Sequence, residues 1–313
     1  MTKFFRNNIR KRNRIIWYCC FTAIPILQFL VFYVYVNINS FLLAFQEYTI
    51  NNAGKYKVGF AGISNFAHVL NYLKDNLYLF TNALIYFFAI SCVVMILAVI
   101  FGFYISKKMR CSKFFQIILF LPSLISQMAL GLIFVYALDR AIPYIIQQIT
   151  GESEIYSLLR PEYGLGRKIV IIYNVFMGFG VNVVLYTTAF SAIDISVIEA
   201  SHIDGANTLQ EFWHISIPSI YNTFVTLFIA ALASIFTNQM NIYTLFEAGA
   251  SADVANIGYF LFYSLTQSSY ISDGINFTFS QISAMGLIIT VILLPITLGV
   301  RKLLYKLGPS VEH

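Results

Sequence analysis

Charge is what this sequence has least of. Only 11% of its 313 residues are Asp, Glu, Lys or Arg, while 58% are hydrophobic and 17% aromatic. A soluble domain carries about a quarter charged residues. The deficit excludes an ordinary water-soluble globule and points to a membrane protein. Cysteine is sparse as well. Cys19, Cys20, Cys92 and Cys111 form no C-x-x-C pair and no Cys/His ligand spacing, so neither a disulfide framework nor a zinc site is indicated. No G-x-x-x-x-G-K-[ST] stretch occurs, so the chain carries no Walker-type ATP site of its own. His68, His202, His214 and His313 are scattered, without a nucleophile–base–acid constellation, and no catalytic residue, cofactor or metal is expected. The net charge of +6 comes from Lys and Arg beside apolar runs, as in juxtamembrane anchors, and is not read as a nucleic-acid footprint.

Long apolar runs are what is present. Crossing a bilayer takes about 20 mostly apolar residues. The intervals 15–36, 77–106, 114–138, 169–193, 215–246 and 274–300 qualify. The expected fold is an all-α integral membrane protein with six transmembrane helices. It divides into a basic N-terminus (1–14), a transmembrane domain (15–306, core about 77–300) and a short tail (307–313). The first run lacks a small-x-small cleavage site and is too long for a signal-peptide core, so it is read as a retained span. Basic residues gather at 3–14, 107–113 and 301–306, which places both termini and the 194–218 loop in the cytoplasm. Pro122 and Pro295 are expected to kink their helices. Gly178 and Gly180 lie inside a span, where small residues favour close packing. The outer loops are too short for an independent domain, including a polar patch with Glu152, Glu154, Arg160 and Glu162.

The most polar interval between two apolar runs is 199–218. It carries Glu199, Asp204 and Glu211 but no Lys or Arg, which suits docking on protein better than lying on anionic lipid. Its local signals describe two short helices with a break. Ser196 and Glu199 have the spacing of a capping box, and Asn207 and Gln210 repeat it. Gly205 stands where a helix ends in a left-handed turn, and Pro218 suits the first turn of the next helix.

This stretch resembles a known family. Glu199-Ala200-Ser201, then Asp204-Gly205-Ala206, then Phe212, His214, Ile215, Ile217 and Pro218 look like the EAA loop of ABC importer permeases, in particular the carbohydrate-uptake class. Ser201 replaces the usual second Ala, Ile217 the usual Leu, and the loop's customary basic residues are missing. Phe120-Leu121-Pro122-Ser123 is similar to the segment opening the family's third span. The resemblance implies the type I importer fold, with a cytoplasmic coupling helix between spans four and five. It also implies a second permease subunit, two ATPase subunits holding ATP and Mg, and an extracellular or periplasmic solute-binding protein, in a prokaryotic plasma membrane. The loop residues Glu199, Ala200, Ser201, Asp204, Gly205, Ala206 and Pro218 would couple to the ATPase. Glu199 has two readings, a helix cap or a partner for a basic group. Asp204 caps the second helix or meets the partner.

Cargo contacts need polar groups at membrane depth. Asn238, Gln239 and Asn241 are the densest such cluster; Asn174 and Asn182 lie in the fourth run, Gln281 and Ser283 in the sixth. Each is also a candidate for helix–helix hydrogen bonding. The charge-free spans carry no acid or base, which argues against the rival reading of a stand-alone secondary transporter or channel.

Overall fold

A computed structural model describes residues 2–50, 56–151, 156–270 and 276–308. The Glu152–Glu154 part of the polar patch and the tail beyond residue 308 lie outside them. The chain divides into two compact units, residues 1–72 with 267–288, and residues 73–266 with 289–313.

In the first unit, α1 (Thr2–Phe29) runs through a π-helical turn (Leu30–Tyr35) into α2 (Val36–Leu43). The basic N-terminus is therefore the first turns of a helix that continues into the first span, Ile16–Leu43. A hairpin follows, which an all-α reading did not include. Strands β1 (Gln46–Ile50) and β2 (Tyr56–Phe60) pair antiparallel, with Gln46 opposite Phe60 and Thr49 opposite Lys57. Its base is tied to α3 (Ser64–Asp75), because the Asn65 amide donates to the carbonyls of Ala44 (2.9 Å) and Gln46 (3.0 Å).

The second unit is built on α4 (Tyr78–Ser106) and α8 (Gly166–Ser191), two helices of spanning length. Their contact buries Ala98, Phe103, Val183, Tyr186 and Phe190. Burying side chains of this size is worth about 1.5–3 kcal/mol each in water, but lipid is as apolar as the core, so packing and shape select this contact. Gly102 of α4 is part of that selection, since a Cβ there would lie 2.8 Å from the Tyr186 Cβ, and Gly180 of α8 lets a third helix approach. A side chain at Gly180 would strike the Leu119 carbonyl of α5 (Ser112–Leu124).

Two of the expected spans are broken. The interval 114–138 is not one kinked helix. Pro122 has no N–H to donate, α5 ends at Leu124, and Ile125 is extended (ψ 144°). A new helix, α6 (Gln127–Tyr136), continues through a π turn into α7 (Ile142–Thr150), and this run has spanning length. Hydropathy marked an end at Asp139-Arg140, but these two exposed side chains pair with each other (3.9 Å) and the helix continues past them. The interval 215–246 is broken twice. The helical run α10 (Thr208–Glu211), π turn (Phe212–Ser216) and α11 (Ile217–Ser219) meets α12 (Tyr221–Ala233) at a 61° bend. Pro218 and the π turn both disrupt the i→i−4 ladder there. After Ala233 the chain turns before α13 (Ile242–Phe246), and α14 (Ile257–Gln267) follows. Among the described residues, five helices are long and apolar enough to cross a membrane, six with the bent pair as one span; the last is α15 (Phe279–Leu307).

Candidate functional site

Two features of the second unit carry the polar residues. The first is a cavity of about 870 Å³. Phe87, Ser91 and Met95 line it from the middle of α4, and Asn174, Gly178 and Asn182 from the middle of α8. Ser123, Ile125 and Gln127 come from the break between α5 and α6, and Asn238, Gln239, Met240 and Asn241 from the turn after α12. Among the described residues, none that lines it is charged. The helix break at Ile125 and Ser126 opens backbone and amide groups to this space, as irregular backbone at membrane depth requires a cavity or protein around it.

The amides are ordered by one another. Gln127 donates to the Asn241 side-chain oxygen Oδ1 (2.5 Å), Asn241 to Oδ1 of Asn174 (2.8 Å), and Asn174 to the Met240 backbone oxygen (2.7 Å). Asn238 accepts from the Met240 N–H (2.8 Å), and Asn256 donates to the Asn238 backbone (3.0 Å). These bonds hold Met240 and Asn241 at φ 50° and 54°, a left-handed conformation that is rare for a residue such as Met. Gln239 differs. Its side-chain oxygen is buried and has no hydrogen-bond partner among the described residues. A buried acceptor without a partner is unfavourable by about 1–3 kcal/mol. Asn182 donates to the Gly178 carbonyl (2.8 Å). Gln281 belongs to the first unit. Its side chain accepts from the Thr278 N–H (2.9 Å) and its own N–H donates to the Thr278 hydroxyl (3.3 Å), a capping box that starts α15. Its threonine-to-glutamine spacing was the signal for that role.

The second feature is the loop between α8 and α12. Asp194 caps α9 (Ile195–Ile203) by accepting from the Ser196 N–H at 2.9 Å, which holds its carboxyl below the usual aspartate range. Ser196 and Glu199 do not form the expected box, because the helix begins two residues earlier and Asp194 takes the cap. Glu199 and Ala200 are exposed on α9, and Glu199 has no partner among the described residues. Ser201 is buried, its hydroxyl on the Ile198 carbonyl (2.7 Å). At the other end the Gly205 N–H bonds to the His202 carbonyl (3.1 Å) and the Ala206 N–H to that of Ser201 (2.9 Å). This is a Schellman ending, and Gly205 supplies the left-handed residue at φ 82°. Asp204 remains exposed at the C-cap. The next helix is capped by Asn207, in a complete box with Gln210 (2.8 and 2.9 Å). Pro218 stands in the first turn of α11, at the bend.

Glu211, read from the sequence only as one of the loop's acids, has a role that this reading did not find. It is buried, contacts Lys107 at the end of α4, and accepts from His202 at 3.1 Å. The available signal was that it is the sole acid between Asp204 and Glu247, set against Phe212 and Trp213.

A family model described as the binding-protein-dependent transport system inner membrane component matches residues 94–313. The chain belongs to that family. Among curated relatives, this permease is 22% identical to the multiple sugar-binding transport system permease protein MsmF of Streptococcus mutans, over 84% of this chain and 89% of the relative. It is 24% identical to the arabinooligosaccharides transport system permease protein AraP of Bacillus subtilis, over 90% and 87%. A crystal structure of a bacterial ABC transporter that imports the acidic polysaccharide alginate contains a chain of the same fold, with TM-score 0.75, 19% identity, and coverage of 96% of the permease and 100% of that chain. A second alginate transporter structure, in complex with an alginate pentasaccharide-bound periplasmic protein, gives TM-score 0.70 at 19% identity, over 92% and 94%.

Proposed function

We propose that this permease forms one half of the membrane pathway of an ATP-driven importer, and that its cargo is a neutral carbohydrate delivered by an external solute-binding protein. The observation that carries the reading is the cavity: amides and hydroxyls without a charge, halfway along two spanning helices, a wall that pairs with donors and acceptors alike. Sugar hydroxyls supply both, and a volume of this order suits a small-molecule site. Asn238, Gln239, Asn241 and Asn182 face the cargo; Asn174 and Gln127 hold them in place. A polyuronate such as alginate needs cations, which this wall lacks.

The loop is the coupling element. Glu199, Ala200 and Asp204 on α9 meet a separate ATPase subunit on the cytoplasmic side, where ATP and Mg are bound. Ser201, Gly205, Ala206 and Pro218 keep the helix short, rigid and joined to the next span. Closure of the ATPase pair moves α9, and the spans follow, exchanging inward for outward access. A second permease completes the pathway.

The test is uptake by liposomes holding the importer assembled with its own ATPase, second permease and binding protein, using a radiolabelled panel of raffinose, maltotriose, arabinotriose and an alginate trisaccharide. ATP-dependent uptake of a neutral sugar, with the alginate fragment refused, is expected. Uptake by the permease alone on a gradient, without ATP, would sink the reading in favour of a secondary transporter.

A further inference from the structure

The two oxygens of the Glu211 carboxylate serve different neighbours. Oε1 contacts the Lys107 ammonium and accepts from the Ser216 hydroxyl at 3.5 Å; Oε2 accepts from His202 Nε2 at 3.1 Å. Lys107 is the C-cap of α4, and His202 belongs to α9. One carboxylate, 1% exposed, thus joins the end of α4, the helix α9 and the run that leads to the bend at Ile220.

Aromatic packing already seals this junction. Phe103 meets Phe190 (5.5 Å between ring centres) and Phe212 (4.8 Å). An apolar residue at 211 would extend that seal without the desolvation cost of a buried ion pair. What the apolar seal lacks is direction. Apolar contacts have no donor or acceptor to fix their register, whereas a carboxylate with both oxygens engaged is held at one position.

That position matters because of connectivity. The chain itself carries a displacement of α9 to α8 on one side and to α12 on the other. It does not carry it to α4, which is far from the loop in sequence yet supplies Phe87, Ser91 and Met95 to the cavity wall. We propose that Glu211 is a positioning residue for energy coupling. Resting on the reading above, it locks α4 to α9, so that the motion delivered to α9 reaches the α4 wall of the cavity.

Two measurements test this. In the liposome assay with the same sugar panel, E211Q and K107M should lower uptake per ATP hydrolysed at least about tenfold, with hydrolysis itself within about twofold of wild type, a coupling loss of ordinary size. The exchanged pair K107E/E211K should regain uptake. Unchanged uptake, or uptake and hydrolysis falling in proportion without rescue, would overturn the proposal. The second measurement needs no sugar. Spin labels are placed at Ile96→Cys on α4 and Ile195→Cys on α9, with Cys19, Cys20, Cys92 and Cys111 changed to serine. On ATP binding to the assembled importer their separation should stay constant in wild type and change in E211Q. A separation that responds alike in both sinks the lock. If no sugar is taken up by the wild type, the carbohydrate reading fails and the label distances alone decide on Glu211.

Discussion

Two polar stretches interrupt the apolar runs of this permease, and they turn the chain by different means. The 194–218 loop turns at Gly205, a residue free to be left-handed, and its helices are capped by Asp194 and Asn207 from within the loop. The 234–241 turn is left-handed at Asn241 and also at Met240, which resists that conformation, and bonds from Asn174, Gln127 and Asn256 hold it there. The first shape is local and suits a lever that must stay rigid while it moves. The second is imposed by distant helices and suits a wall whose amides must face a cavity.

If that contrast holds, the largest loss should come from the wall. Asn174→Leu strands the Met240 carbonyl and the Asn241 amide at once, at about 1–3 kcal/mol each. The full-length chain in detergent should melt several degrees lower, and cargo uptake should be lost. Gly205→Val comes next. A Cβ there meets no atom within 4 Å, so the cost is backbone conformation alone, about 1–2 kcal/mol. Insertion should be normal while uptake fails. Normal uptake would break the idea that the loop's shape transmits motion. Asn207→Ala removes one cap and should cost about 1 kcal/mol, with serine restoring it. The smallest effect is at Asp194. Its carboxyl is held low by the Ser196 N–H, so the cap is fully present above the ordinary aspartate value of 3.8 and is lost as pH falls below it. A melting series between neutral pH and pH 3 should show a slope that Asp194→Asn reduces.

The same contrast separates what could be read in advance from what could not. Gly205, Asn207 with Gln210, and the apolar runs were legible, since a cap or a hydrophobic span depends on neighbours within a few residues. The Ser196–Glu199 box was misplaced because two overlapping caps competed and Asp194, nearer the turn, prevailed. The span at 114–138 was read as one helix kinked at Pro122, because hydropathy does not register that α5 ends at Leu124 and a new helix starts at Gln127.

From composition and local spacing alone came a multi-pass helical membrane protein, a helix–break–helix loop with its glycine, and a set of amides as candidates. Tertiary structure decided which amides of the second unit share one cavity and brought Glu211 against Lys107. The physical reason is range. Caps, turns and hydropathy act over one or two helical turns, whereas an uncharged amide or a lone acid has no local signature until folding selects its partner.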